Sequence, residues 1–156
     1  MGTPANSQQL KANSQSLSKW NELKKTHGNS YIYQTTFTSF TGVGGTTEIK
    51  VENGTVRARI YQEFKINQNN GAKQVVFAYT ETGEDLGLNR KGAPALTIDE
   101  LYQSCANNYI TVDPEKNAII FQTSEEGLMT VCGFYPDGCM DDCFNGLRID
   151  SFRWGK

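Results

Sequence analysis

The stretch 46–64 constrains this chain more than any other, because it reads as two alternating β runs joined by Asn53-Gly54. A two-residue type I′ turn needs positive φ at both central positions, and Asn-Gly tolerates this best, so the pair marks a hairpin. Such a turn fixes register. Val51 then opposes Val56 and Ile49 opposes Ala58, facing a core. Glu52 opposes Thr55, Lys50 opposes Arg57 and Glu48 opposes Arg59, facing water. Asn53-Gly54-Thr55 is also a formal N-glycosylation sequon, but the turn already accounts for it.

The rest of the chain can be laid out around that hairpin. Residues 1–12 are small and polar and read as a disordered N-terminal segment, with 13–156 as a single domain. A helix is expected from Asn13 or Ser14 to His27, carrying Leu17 and Trp20 at helical spacing. Lys24, Lys25 and His27 fall where the macrodipole favours positive charge, and Gly28 supplies the stop. A strand over 31–40 puts Tyr31, Tyr33, Thr35 and Phe37 on one face. Another follows at 75–79, then a long loop at 81–96. Thr97-Ile98-Asp99-Glu100 is a capping box that starts a second helix, with Ile98, Leu101, Tyr102, Cys105 and Tyr109 as its apolar stripe. Strands are expected at 109–112, 118–123 and 128–134, and a closing one at 147–154. Runs of strands between helices argue an α+β fold: an antiparallel sheet of about six to eight strands with two helices packed on one face.

Charge excludes some function classes. Seventeen acidic residues against fifteen Lys and Arg leave a net charge of −2, which gives no electrostatic reason for a nucleic-acid or anionic-membrane partner. No apolar run approaches the roughly 20 residues of a spanning helix, so no transmembrane segment is expected. The first residues lack the basic and apolar regions of a leader, so an exported chain would have its leader absent from this sequence.

The four cysteines, Cys105, Cys132, Cys139 and Cys143, suit two disulfides. Cys139–Cys143 and Cys105–Cys132 are the favoured pairs, since residues four apart on a helical turn lie within bridging reach. Zinc fits poorly: no C-x-x-C occurs, and the one histidine, His27, is distant in sequence. Oxidised cysteines imply a secreted, periplasmic or cell-surface location.

Three clusters are candidate sites. Asp137, Asp141 and Asp142 gather carboxylates suited to calcium, without EF-hand spacing. Arg57, Arg59 and Tyr61 share one strand face and form an anion-binding candidate, Arg57 lacking an acidic neighbour in the expected register. Tyr31 and Tyr33, with Phe37, Phe121, Phe152 and Trp154, would line either an aromatic pocket or a sheet core. No catalytic set emerges. A nucleophile would need His27, which ends a helix among lysines, and Asp99 and Glu100 belong to the helix start. No cofactor motif is present either.

Taken in order, Trp20, Tyr31-Ile32-Tyr33, the hairpin from Val51 to Val56, the helix start from Thr97 to Tyr102, and Ile149-Asp150-Ser151-Phe152-Arg153-Trp154 form a pattern. Over roughly 18–154 it resembles a family of small secreted or lipoprotein α+β domains of unknown function, mostly bacterial. The resemblance is weakest over the Cys-rich segment 132–143. The resemblance implies an exported domain without cofactor and carries no active residues. The function expected is an exported, non-catalytic binding domain for a small ligand or a protein, with the oligomeric state open. The alternatives are a small extracellular hydrolase using carboxylates and a calcium-stabilised structural module.

Overall fold

Asn53 and Gly54 both take positive φ, 49° and 79°, as a type I′ turn requires. They join β2 (Val43–Glu52) to β3 (Thr55–Ile66). The structure, a computed structural model, describes residues 4–39, 41–139 and 143–155, with the backbone alone for 4–6. Next to the turn, Glu52 faces Thr55 and Val51 faces Val56, as expected. The register then slips: Lys50 faces Ala58 and Ile49 faces Arg59, leaving Arg57 as an extra residue. A one-residue bulge sends every later side chain to the other face of the sheet. The expected pairs Ile49–Ala58, Lys50–Arg57 and Glu48–Arg59 are therefore not formed. Arg59 and Tyr61 turn inward beside buried Ile49 and Thr47.

The hairpin is the centre of a five-stranded antiparallel sheet. Its other members are β1 (Tyr31–Thr38), β4 (Lys73–Thr82) and β8 (Ser151–Trp154), in the order β4-β3-β2-β1-β8. A second antiparallel sheet holds β5 (Asn117–Thr123), β6 (Met129–Pro136) and β7 (Asn145–Arg148) in sequence order. With helices α1 (Pro4–His27) and α2 (Ile98–Ser104), the fold is α+β. The eight strands among the described residues are divided between two sheets instead of forming one. The single closing strand expected at 147–154 is two strands, β7 on the smaller sheet and β8 on the larger. The chain breaks between them, where the Asp150 amide donates to the Gln34 carbonyl.

Two further expectations are corrected. The strand at 109–112 does not form. The backbone winds on from α2 through a π-helical turn, Cys105–Tyr109, which ends with the Ile110 amide donating to the Cys105 carbonyl at 3.2 Å. The segment 4–12 is helical, since α1 begins at Pro4, and proline suits a helix start. The face that α1 buries carries Asn13, Ser16 and Trp20, so its first half shows almost no apolar stripe.

The chain divides into two compact units. One gathers the segment up to Gly28 with Ile98–Arg148, and so holds both helices and the three-stranded sheet. Here α1 lies on β5 and β6. The Tyr102 hydroxyl sits 2.6 Å from Ser16 Oγ and accepts from the Met129 amide at 3.0 Å. Trp20 Nε1 and Lys24 Nζ donate to the two oxygens of Asp99. Burial alone would raise the Asp99 carboxyl, but these donors pull it below its ordinary value. The Cys105–Cys132 disulfide ties the end of α2 to β6, with Cα atoms 5.9 Å apart. Cys139–Cys143 is the second bridge, so both pairings are the expected ones. The other unit gathers Asn29–Thr97 with the chain from Ile149 onward, and holds the five-stranded sheet.

Candidate functional site

Four of the five residues expected to meet a ligand are buried in the five-stranded unit: Tyr31, Tyr33, Arg59 and Tyr61. Tyr31 packs between Phe152 and Trp154 of β8, with ring centroids at 5.5 and 6.3 Å. Tyr33 donates its hydroxyl to the Leu96 carbonyl at 2.6 Å. These aromatics form a sheet core. Arg57 is exposed at the bulge. Arg59 and Tyr61, brought inward by that bulge, belong to a polar system that the sequence did not announce.

That system fastens the segment 83–97 across the sheet. Arg59 Nε and Nη2 donate to the two oxygens of Glu81, at 2.7 and 3.0 Å. The remaining guanidinium donors reach the carbonyls of Ala93 and Asn89. Glu81 also accepts from the amides of Gly87 and Asn89 and from the Asn89 side chain. Both ionic side chains are almost wholly buried, with 4% and 1% of their surface exposed. The bonds from Arg59, reinforced by those backbone donors, hold the Glu81 carboxyl far below its usual range against the opposing effect of burial. The same pairing raises Arg59. Thr47 Oγ1 accepts from the Ala93 amide, and the Tyr79 hydroxyl donates to the Lys91 carbonyl. Gly92 crosses where a Cβ would meet the Tyr79 hydroxyl at 2.7 Å and where φ is +95°, so no other residue fits the crossing without strain.

Beyond the crossing, Tyr61 lies over Gly45, where a Cβ would come within 2.5 Å of its hydroxyl. Tyr61 donates to Glu63, and burial, helped by that carboxylate, pushes its phenol up to about 12. Lys91 pairs with Glu63 at 3.0 Å and lies over the Phe77 ring at 5.2 Å. That hydrogen bond from Lys91 keeps the Glu63 carboxyl below its ordinary value.

The surface left open is the outer strand, β4. It ends the sheet, and Val75, Val76 and Phe77 on it are 54, 44 and 40% exposed. Val75 lies opposite Phe64 and Phe77 opposite Glu63, adjacent residues of β3 that point to opposite faces. Apolar side chains therefore stand exposed on both faces of this edge. The sequence signal was the unbroken run Val75-Val76-Phe77-Ala78-Tyr79, a pattern typical of a strand buried on both sides. On the other face of the sheet, Ile32, Gln34, Glu48, Ser151, Phe152 and Arg153 line an open cavity of about 130 Å³. Gln34 donates to Glu48 there at 2.9 Å.

Asp141 and Asp142 lie outside the described residues, and Asp137 is exposed. Among the described residues no three His, Cys, Asp or Glu side chains come together as a metal site. No described helix is long and apolar enough to cross a membrane. Comparison with family models, with characterised proteins and with solved structures finds nothing that matches this chain.

Proposed function

We propose that this is an exported, non-catalytic interaction domain that works by extending its five-stranded sheet, at β4, onto another polypeptide. The observation that carries the reading is a ten-residue outer strand with exposed apolar side chains on both faces. An edge of this kind offers unpaired amides and carbonyls to an added strand. Natural proteins normally cover or charge such an edge, and here Lys73 alone carries positive charge on β4. Two disulfides support an oxidising compartment. Glu81, the buried carboxylate among the described residues, is held ionised by Arg59 and the 83–97 segment, which suits a structural role better than that of a general acid.

A photo-crosslinking residue in place of Val76 tests this in the full-length chain. Cross-links from position 76 to a polypeptide are expected at native concentration, with none from the same residue placed at Arg57. Equal labelling from both positions, or labelling by solvent alone at 76, contradicts the reading. Four alkylatable thiols in natively folded material would remove the support for export.

A further inference from the structure

We propose that the polypeptide received by β4 is a second copy of this chain, paired antiparallel across a two-fold axis to give one continuous ten-stranded sheet. The inference rests on the interaction reading above and adds the identity of the partner. Charge at the two ends of the edge carries it. The end where β4 begins bears exposed Lys73, with exposed Lys65 next to it on β3, opposite Gln74. The end where β4 finishes leads into the turn Gly83–Asp85, with exposed Glu84 and Asp85, which outweigh the exposed Arg57 next to Ala58 on β3, opposite Thr82. Among the described residues, Lys65, Glu84 and Asp85 take part in no salt bridge. An antiparallel pair on a two-fold lays each basic end against the partner's acidic end, twice over. A parallel pair would set like charges together at both ends, which is destabilising.

Symmetry argues the same way. The opposite edge of the sheet is β8, only four residues long and with exposed Arg153. Joining β4 of one copy to β8 of the next would be head-to-tail and would leave a free edge at each end of every pair, so it would grow into rings or filaments. Joining β4 to β4 consumes the long edge in one closed step and leaves only the short edges outside. Val75, Val76 and Phe77 then gain cross-strand neighbours from the partner on the open side of β4.

Sedimentation equilibrium of the full, oxidised chain over a wide concentration range tests the proposal. A monomer–dimer equilibrium is expected. Val76→Lys should raise its dissociation constant at least tenfold with an unchanged melting temperature at low concentration, because Val76 is exposed. Lys73→Glu and Glu84→Lys should each weaken the dimer, and the chain carrying both should regain most of the loss. A monomer at every concentration overturns the second-copy proposal, while cross-links from position 76 to a different chain would leave the interaction reading standing. A dimer indifferent to Val76→Lys pairs through another surface and overturns the second-copy proposal, and the absence of cross-links from position 76 would overturn the interaction reading as well. A dimer sensitive to Val76→Lys but without charge-swap recovery overturns the antiparallel two-fold arrangement.

Discussion

Each of the two units of this chain is held together internally by different physics. The helical unit closes around a covalent bond: Cys105–Cys132 ties α2 to β6, and the neutral Tyr102 hydroxyl joins α1 to β6 through Ser16 and the Met129 amide. The five-stranded unit contains no cysteine. It fastens its long connection, 83–97, with a buried ion pair that is further bonded to the backbone of that connection and to the Asn89 side chain. One unit thus depends on redox state, and the other on the ionisation of a single carboxylate. A buried, well-bonded pair of this kind rigidifies the sheet that carries β4.

The largest break in this comparison should come from Glu81→Ala. It strands the Arg59 charge in a dry site and should cost about 3–5 kcal/mol. Denaturant unfolding followed by a probe in the five-stranded unit would measure it. Replacing both partners, Arg59→Met with Glu81→Leu, should recover much of that loss, since no unpaired charge remains. Acid attacks the same bond. Glu81 titrates below its unfolded value in the folded chain, so its contribution is complete above about pH 4.3. It is lost progressively as pH falls below that point toward the depressed folded value. The five-stranded unit of the wild type should therefore lose melting temperature between about pH 4 and pH 2, and the double variant should lose less.

Next in size is removal of the long disulfide. Cys105→Ala with Cys132→Ala opens a loop of 27 residues' separation and should cost about 3–4 kcal/mol, felt in the helical unit. Removing Cys139–Cys143, with a separation of 4, should cost about 2 kcal/mol by the same reckoning. Tyr102→Phe should follow at about 1–3 kcal/mol, because the buried Met129 amide loses its acceptor. Smallest of all, Val76→Lys should change the stability of the monomer by no more than about 0.5 kcal/mol, since the side chain touches solvent.

What was legible in the sequence follows from how local each signal was. Asn53-Gly54 announced its hairpin because the turn needs only its own two residues. The second helix begins at Ile98, one residue after Thr97, and both disulfide pairings agree with loop geometry. The bulge at Arg57 was not legible from alternation, since Val56, Ala58 and Ile60 keep a clean period of two. The hint was Tyr61, an aromatic on the same phase as Arg59, which belongs inside. The Arg59–Glu81 pair joins residues 22 apart on strands whose register depends on that bulge, so no local pattern encodes it. The segment 4–12 of α1 escaped notice because it is small and polar, with Leu10 its one large apolar residue, and so carries little hydrophobic signal. The exposed edge was written in the run 75–79, but only the strand order shows that it lies outermost.

The account turns on whether β4 is an interior strand when the protein is at work. Residue-resolved hydrogen exchange on the native, oxidised chain measures this directly, through the alternate β4 amides that point away from β3. Protection of those amides that approaches the level of β3 at high concentration, and fades on dilution or with Val76→Lys, is the predicted result. Exchange as fast as that of the neighbouring loop 67–71 at every concentration, in the presence of whatever co-purifies from the native source, would contradict it.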